Sequence, residues 1–390
     1  MLYAYCVGLP SSRKIERALV EDVALRYLAA NNTPDFRTIS DFRKRHIEAL
    51  RGLFLQVLRL CQKAGMIKLG HVALDGTKMK ANASKHKAMS YGRMNKEEAR
   101  LQAEVDELLR RADEIDEAED AEYGRDKRGD ELPAELAHRE GRLKKIKEAK
   151  EVLEREAKEE AEAKKREAEA KRAEKDPRGR RPGEPDPTPR DKAQKNFTDP
   201  DSRIMPQPGD RRAFMQAYNC QAVVDGKEQV IVAADVTQQT NDSRQAEPMI
   251  GQVKSNVGQF PRKASMDAGY FSKDSIATLK RAGVETFVPP ERRKHGEVAP
   301  PASRGRMPKG LLAKELMRRK LSTIRGRTIY AKRKTIVEPV FGQIKQARGF
   351  RQFLLRGLTQ VQSEWSLICT THNLLKLWRR MSAQRAFQAV

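Results

Sequence analysis

Asp75 closes the apolar run His71-Val-Ala-Leu, and Asp267 closes Lys263-Ala-Ser-Met; glycine follows the first at once and Ala-Gly follows the second. Each reads as a short strand ending in a carboxylate, where a small neighbour lets a substrate backbone approach. Hard divalent cations take oxygen ligands, commonly one or two carboxylates together with phosphate oxygens. Two such ions activate an attacking oxygen and stabilise a leaving one. Taken singly, either aspartate reads better as a turn or capping residue.

Glu338 adds a third carboxylate, in Tyr330-Ala-Lys-Arg-Lys-Thr-Ile-Val-Glu338-Pro-Val-Phe-Gly-Gln-Ile-Lys345. Lys345 follows two helical turns later and returns to nearly the same face. With Arg333 and Lys334 upstream, metal and phosphate contacts would lie side by side. An exposed Glu-to-Lys helical pattern has similar spacing and is common. Pro339 disfavours helical geometry in the residue before it, so the helix is predicted to start at Pro339 with Glu338 at its cap. The helix dipole there opposes a cation, and the carboxylate would have to hold it. Asp225, Asp235 and Asp242 read as structural, with Asp235 the substitute for Asp267. The stretch from Arg348 through Arg351 to Arg356 interleaves basic and aromatic residues. It reads equally as nucleic-acid contacts or as an amphipathic segment with Phe350 and Phe353 in the core. Trp365 and Trp378 read as core.

The charge distribution narrows the partner. The net charge is +24, which favours a polyanion. Residues 262–390 hold 28 Lys and Arg against 8 Asp and Glu, whereas residues 95–175 hold 21 against 27. The basic excess therefore surrounds the candidate carboxylates. No apolar stretch is long enough to span a bilayer, and the first residues lack the basic and apolar regions of a signal peptide. The four cysteines have no zinc-site spacing and are expected to be reduced thiols in a cytosolic protein.

Five segments must position these residues. Residues 1–70 read as a helical N-terminal domain: Ser11 is placed to cap a helix carrying Ile15, Leu19 and Val23, and Asn31-Asn-Thr-Pro34 breaks it. A second helix from Thr38 carries Phe42, His46, Leu50 and Leu53. With Arg43, Lys44 and Arg45 it is either a helix-turn-helix-like unit or a packing domain with surface arginines. Residues 71–94 begin the domain holding Asp75. Residues 95–175 step by threes and fours through Leu101, Val105, Leu108, Ala112 and Ile115. They resume at Leu136, Leu143, Ile146 and Leu153, predicting an antiparallel coiled-coil hairpin. Residues 176–205 are a Pro-rich segment predicted to be a disordered linker. In 206–390 strands and helices alternate: a hairpin turning at Asp225-Gly226, a helix over 243–257, a strand before Asp267, a helix capped by Ser272 and a strand at 285–288. A basic stretch over 291–328, mobile or ordered by DNA, precedes two closing helices near 339–347 and 361–381.

The segment around Glu338 resembles the Tyr-x2-Arg-x3-Glu-x6-Lys signature of DDE-type insertion-sequence transposases. Tyr330-x2-Arg333 and Glu338-x6-Lys345 fit as written; between them the spacing is one residue longer, and Lys334 stands where the signature's arginine would be counted back from Glu338. Asp267-Ala-Gly-Tyr270 is similar to the family's second-aspartate motif, and Leu74-Asp75-Gly-Thr77 to its first. The resemblance implies an α/β fold: an RNase H-like mixed sheet flanked by helices, with a helical N-terminal domain and the inserted hairpin. It implies that Asp75, Asp267 and Glu338 bind two Mg2+ ions, for which Mn2+ can substitute. Water would then expose a 3′-OH at an element end, and that 3′-OH would attack target DNA. Lys345 and Arg333 would contact phosphates, and Tyr330 would stack near the cleavage point. The implied partners are double-stranded DNA, as element ends and as target, and a second subunit in a synaptic homodimer. The setting would be the bacterial cytoplasm, at the nucleoid. Three rival readings stay open: a non-catalytic coiled-coil DNA-binding protein, a nuclease that cuts without joining, and an inactive truncated remnant.

Overall fold

The computed structural model describes residues 1–123, 134–173, 183–207, 210–292, 301–305, 308 and 310–388. They form two compact units, Met1–Asn82 with Met205–Val390, and Ala83–Ile204.

The first unit opens with α1 (Leu2–Cys6), α2 (Ser12–Glu21), α3 (Val23–Leu28), α4 (Phe36–Arg45) and α5 (Ile47–Lys63). Ala4, Ile15, Ala18, Leu19, Leu25 and Ile39 share one apolar cluster. The predicted Ile15–Leu19–Val23 face is cut short: Asp22 ends α2 and caps α3, accepting from the Leu25 amide at 2.9 Å, and Val23 is exposed. Asp35, not Thr38, starts α4, accepting from the Thr38 amide at 2.7 Å. Arg43 is not a surface cation. It is 4% exposed and donates to the Tyr5 hydroxyl at 3.1 Å and the Pro10 carbonyl at 2.9 Å. A buried guanidinium needs such acceptors, which sequence spacing could not disclose.

After β1 (Val72–Lys80) the chain enters the second unit: β2 (Ala88–Ser90), α6 (Tyr91–Tyr123), α7 (Ala134–Ala173) and β3 (Gln194–Asn196). Met94, Leu101, Leu143, Ile146 and Leu153 form its apolar seam. Pairings of Glu104 with Arg139, Glu98 with Lys150 and Tyr91 with Glu154 run forward on α7 as they run backward on α6, so the two helices are antiparallel. The predicted seam positions Ala112, Ile115 and Leu136 lie outside the described side chains. Residues 183–204 correct the linker expectation. β3 pairs antiparallel with β2, Asn196 donates to the Ser84 carbonyl at 2.8 Å, and buried Lys195 meets Glu156 of α7 at 2.5 Å. Proline removes backbone donors but does not stop the intervening side chains from anchoring; residues 176–182 of that prediction lie outside the described residues.

The first unit resumes with β4 (Arg203–Gln207), β5 (Asp210–Asp225) and β6 (Ile231–Thr237). There follow α8 (Ala246–Val257), β7 (Lys263–Ser265), α9 (Lys273–Arg281) and β8 (Glu285–Phe287), then α10 (Ala313–Ser322), α11 (Ile324–Gly342) and α12 (Leu358–Gln388). β5 lies antiparallel to both β1 and β6, while β7 is parallel to β1 and β8 to β7. The sheet has six strands: along β6-β5-β1-β7-β8 three antiparallel strands are followed by two parallel ones, β4 also pairs with β5, and helices flank this RNase H-like mixed sheet. Asp225 closes β5 and accepts from the Leu69 amide at 2.7 Å, a structural role as expected.

Two expectations near the C-terminus are corrected. Of the stretch 291–328, read as mobile or ordered by DNA, residues 313–322 and 324–328 are helical in α10 and the start of α11, while 293–300, 306, 307 and 309 lie outside the described residues. Pro339 lies inside α11, so Glu338 is mid-helix and not a cap. An internal proline removes one helical hydrogen bond and costs about 3 kcal/mol. Here the carbonyl it leaves free, that of Thr335, accepts from Gln229 Nε2 at 2.9 Å. On α12, Trp365 is fully buried as expected, but Trp378 is 62% exposed. Among the described residues no helix is long and apolar enough to cross a membrane.

Candidate active site

Register brings two of the three carboxylates together. β1 and β7 run parallel with Val72 beside Ala264 and Ala73 beside Ser265. Two residues further along each chain stand Asp75 and, just past the end of β7, Asp267, near enough for the charge of Asp267 to bear on Asp75. Asp75 is not at a strand end as predicted: β1 continues to Lys80, paired with β5 throughout. The strand that ends is β7. Asp267 leaves the sheet and caps a short 3-10 turn over Ala268–Tyr270, its Oδ1 accepting from the Gly269 amide at 2.8 Å.

Asp75 is largely buried. Oδ1 accepts from the Gly76 amide at 2.9 Å, and Oδ2 from Arg333 Nη1 at 2.8 Å. Burial pushes its pKa up to about 6; Arg333 opposes the rise and the nearby Asp267 adds to it. Crowding of like charges in a desolvated cleft marks functional sites.

α11 packs on β1 and supplies the cations. Arg333 is buried, and its guanidinium lies 5.9 Å from the Tyr330 ring centre. Lys345 falls in the π-helical segment Gln343–Ala347. Its Nζ donates to Thr77 Oγ1 and, at 2.9 Å, to the Lys78 carbonyl; burial lowers its pKa. Glu338 stands between these two residues on the helix and is exposed, as is Lys334. The structure therefore joins Asp75 to Asp267 and places Glu338 on the adjoining helix. Among the described residues, no three carboxylate, imidazole or thiolate groups stand close enough to hold one ion jointly.

The aromatic-basic stretch divides. Phe350 and Phe353 are core, and so is Arg348: it is 9% exposed, its Nη1 donates to Thr371 Oγ1 at 2.8 Å and its Nη2 to the Ile368 carbonyl at 3.3 Å. Burial lowers its pKa to about 10. That placement corrects the reading of Arg348 as a DNA contact. Arg351 and Arg356 are exposed; Arg351 donates to Gln346, and Arg356 to the Asn82 carbonyl at 2.9 Å.

Asp242, read as structural, lies beside the pair. Its Oδ1 accepts from Asn219 Nδ2 and from Gln221 Nε2, each at 2.7 Å. Glycines 76 and 269 both face it. A Cβ at Gly76 would fall 3.0 Å from Asp242 Oδ1 and 2.6 Å from Gln221 Nε2. A Cβ at Gly269 would fall 3.1 Å from Asp267 Oδ1 and 3.6 Å from Asp242 Oδ2. The glycines thus make room for the protein's own carboxylate. The only sequence signal was that each glycine follows closely on a site aspartate.

The residues present fit a hard divalent cation. Two neighbouring carboxylates, Asp75 and Asp267, are the oxygen donors such an ion takes, with phosphate oxygens completing its shell. An RNase H-like sheet with an acidic pair on its central strands defines a class of nucleic-acid phosphoryl-transfer enzymes. Residues 186–374 match the family model described as transposase DDE domain, and residues 1–45 match that described as transposase domain (DUF772). The chain belongs to the DDE-type insertion-sequence transposases, proteins of DNA transposition whose DDE domain performs metal-dependent phosphoryl transfer on DNA. Asp267 and Glu338 fall within the first match; Asp75 lies between the two. Comparison with curated proteins and with solved structures returned no match.

Proposed function

We propose that Asp75, Asp267 and Glu338 form the catalytic set of this transposase. It would cleave DNA at the ends of its element and join the exposed 3′-OH to target DNA. The observation that supports this most is the nearness of Asp75 on β1 to Asp267 just past the parallel β7, with Arg333 of α11 and Lys345 of the π-helical segment after it both reaching β1. Divalent ions bound there, Mg2+ or Mn2+, supply activation of the attacking oxygen and stabilisation of the leaving one.

The remaining chemistry belongs to side chains. Arg333 neutralises Asp75 in the arrangement described above. Arg333 is as buried as Arg348 and is committed to Asp75, so it positions that carboxylate and is not assigned a phosphate. Lys345 holds the second half of β1 and directs its charge to the same backbone track. Tyr330 presents an aromatic face beside Arg333 for stacking. Lys334, Arg351 and Arg356 extend the basic surface along the DNA. Because cleavage and joining are both in-line displacements at phosphorus, one site serves twice. A synaptic homodimer at the bacterial nucleoid would bring two element ends together.

Iron-directed cutting of the protein backbone tests where the cation sits. With Fe2+ in place of Mg2+ and peroxide added, the chain is expected to be cut near residues 75, 267 and 338, and excess Mg2+ should suppress the cuts. Cuts confined to other segments would refute the assignment.

A further inference from the structure

Beneath the acidic pair, on the opposite face of β1, lies a chain of buried polar groups with no assigned role. Gln221 is fully buried opposite Gly76 on β5, and Tyr270 is buried three residues after Asp267. The Tyr270 hydroxyl donates to Gln221 Oε1, while Gln221 Nε2 donates to Asp242 Oδ1 at 2.7 Å. An amide has one accepting and one donating end, and a carboxylate only accepts. Asp242 therefore fixes which way Gln221 points, and with it whether Tyr270 finds an acceptor. Asn219 Nδ2 braces the same carboxylate oxygen, while its own buried Oδ1 has no partner and would lie 3.1 Å from a Cβ at Gly76. Within the turn carrying Asp267 the two backbone bonds, Tyr270 N to Asp267 O and Phe271 N to Ala268 O, are both 3.3 Å, and the shorter Gly269 N to Asp267 Oδ1 bond at 2.8 Å is local to the same turn, so the Tyr270 hydroxyl ties it to β5.

We infer that Asp242 is a positioning residue for the transposition chemistry, acting through Gln221 and Tyr270 to hold the Asp267 turn near Asp75. The inference rests on the catalytic reading of Asp267. The isolation of Gln221 from water makes the relay directional, because a buried donor or acceptor left unmatched is costly. Supporting groups of this kind around metal ligands typically change metal affinity or activity by about 10–100-fold when removed.

The test separates the two claims. In the full-length protein, amide hydrogen exchange is read over residues 266–272, and single-turnover cleavage of an element-end DNA is measured alongside. Asp242→Ala and Tyr270→Phe are each expected to speed exchange in that segment about tenfold, the effect of one lost hydrogen bond on local opening, and leave α5 and α12 unchanged. They should lower the single-turnover cleavage rate constant by about 10–100-fold with the affinity for DNA unaltered. The double variant should be no worse than the single ones, since both break one chain. Asp242→Asn, which keeps the accepting oxygen, should retain wild-type protection. Unchanged exchange at 266–272 in both single variants, or Asp242→Asn as unprotected as Asp242→Ala, would overturn the inference. Tyr270→Phe removes one oxygen only and keeps the test decisive should Asp242→Ala fail to fold. Cleavage by Asp267→Asn would instead overturn the catalytic reading and leave the exchange result to judge the relay.

Discussion

Replacing Asp267 by Asn, Asp75 by Asn or Glu338 by Gln should each abolish metal-dependent cleavage of element-end DNA, a loss of at least about a thousandfold, while DNA binding persists. Each substitution keeps the shape and removes the charge that would hold a cation. Asp267→Asn is the cleanest, because its Oδ1 can still accept from the Gly269 amide and keep the turn. Asp75→Asn also removes the charge opposite Arg333, which is only 8% exposed; its melting temperature should be measured beside its activity. Glu338 is exposed, so Glu338→Gln should leave stability unchanged. Gel-shift affinity and gel-resolved cleavage products check all three. Cleavage retained in all three variants would remove the basis for a carboxylate mechanism.

The second large effect is on folding. Trp365→Ala should destabilise the protein by about 3–5 kcal/mol, the usual cost of removing a buried aromatic side chain. Trp365 is fully buried, and its indole N–H donates to the Gln221 carbonyl at 3.1 Å, tying α12 to β5 directly beneath the site. Trp365→Phe retains most of the volume and should lose less. Urea denaturation measures both; a change under about 1 kcal/mol for the alanine variant would mean the helix packs without it. The exposed Trp378 offers the control, since Trp378→Ala should shift stability by no more than about 0.5 kcal/mol.

How much of this was legible in the residues depended on range. Asp75 and Asp267 could be picked out because apolar runs and small followers mark strands and turns. Their adjacency is a register fact that neither segment carries by itself. Pro339 misled for a physical reason: local preference puts proline at a helix start, and the acceptor was satisfied from 106 residues away by Gln229. Arg43 and Arg348 looked like surface cations because charge is visible in a sequence and burial is not; each donates from its Nη atoms to carbonyl or hydroxyl oxygens of other elements. Residues 183–204 looked unstructured because proline density hides the pairing of Lys195 with Glu156. Asp242 could be read only as structural, since its partners Asn219 and Gln221 lie on β5, some twenty residues away in the chain.

Joining, and not cutting alone, separates a transposase from a nuclease with a similar sheet. The most direct measurement supplies the protein with a pre-cut element end bearing a free 3′-OH, a supercoiled plasmid, and Mg2+ or Mn2+. The account predicts covalent insertion of that end into the plasmid, lost in Asp267→Asn and absent when the end carries a 3′-deoxy terminus. Plasmid nicking with no joined product would contradict it.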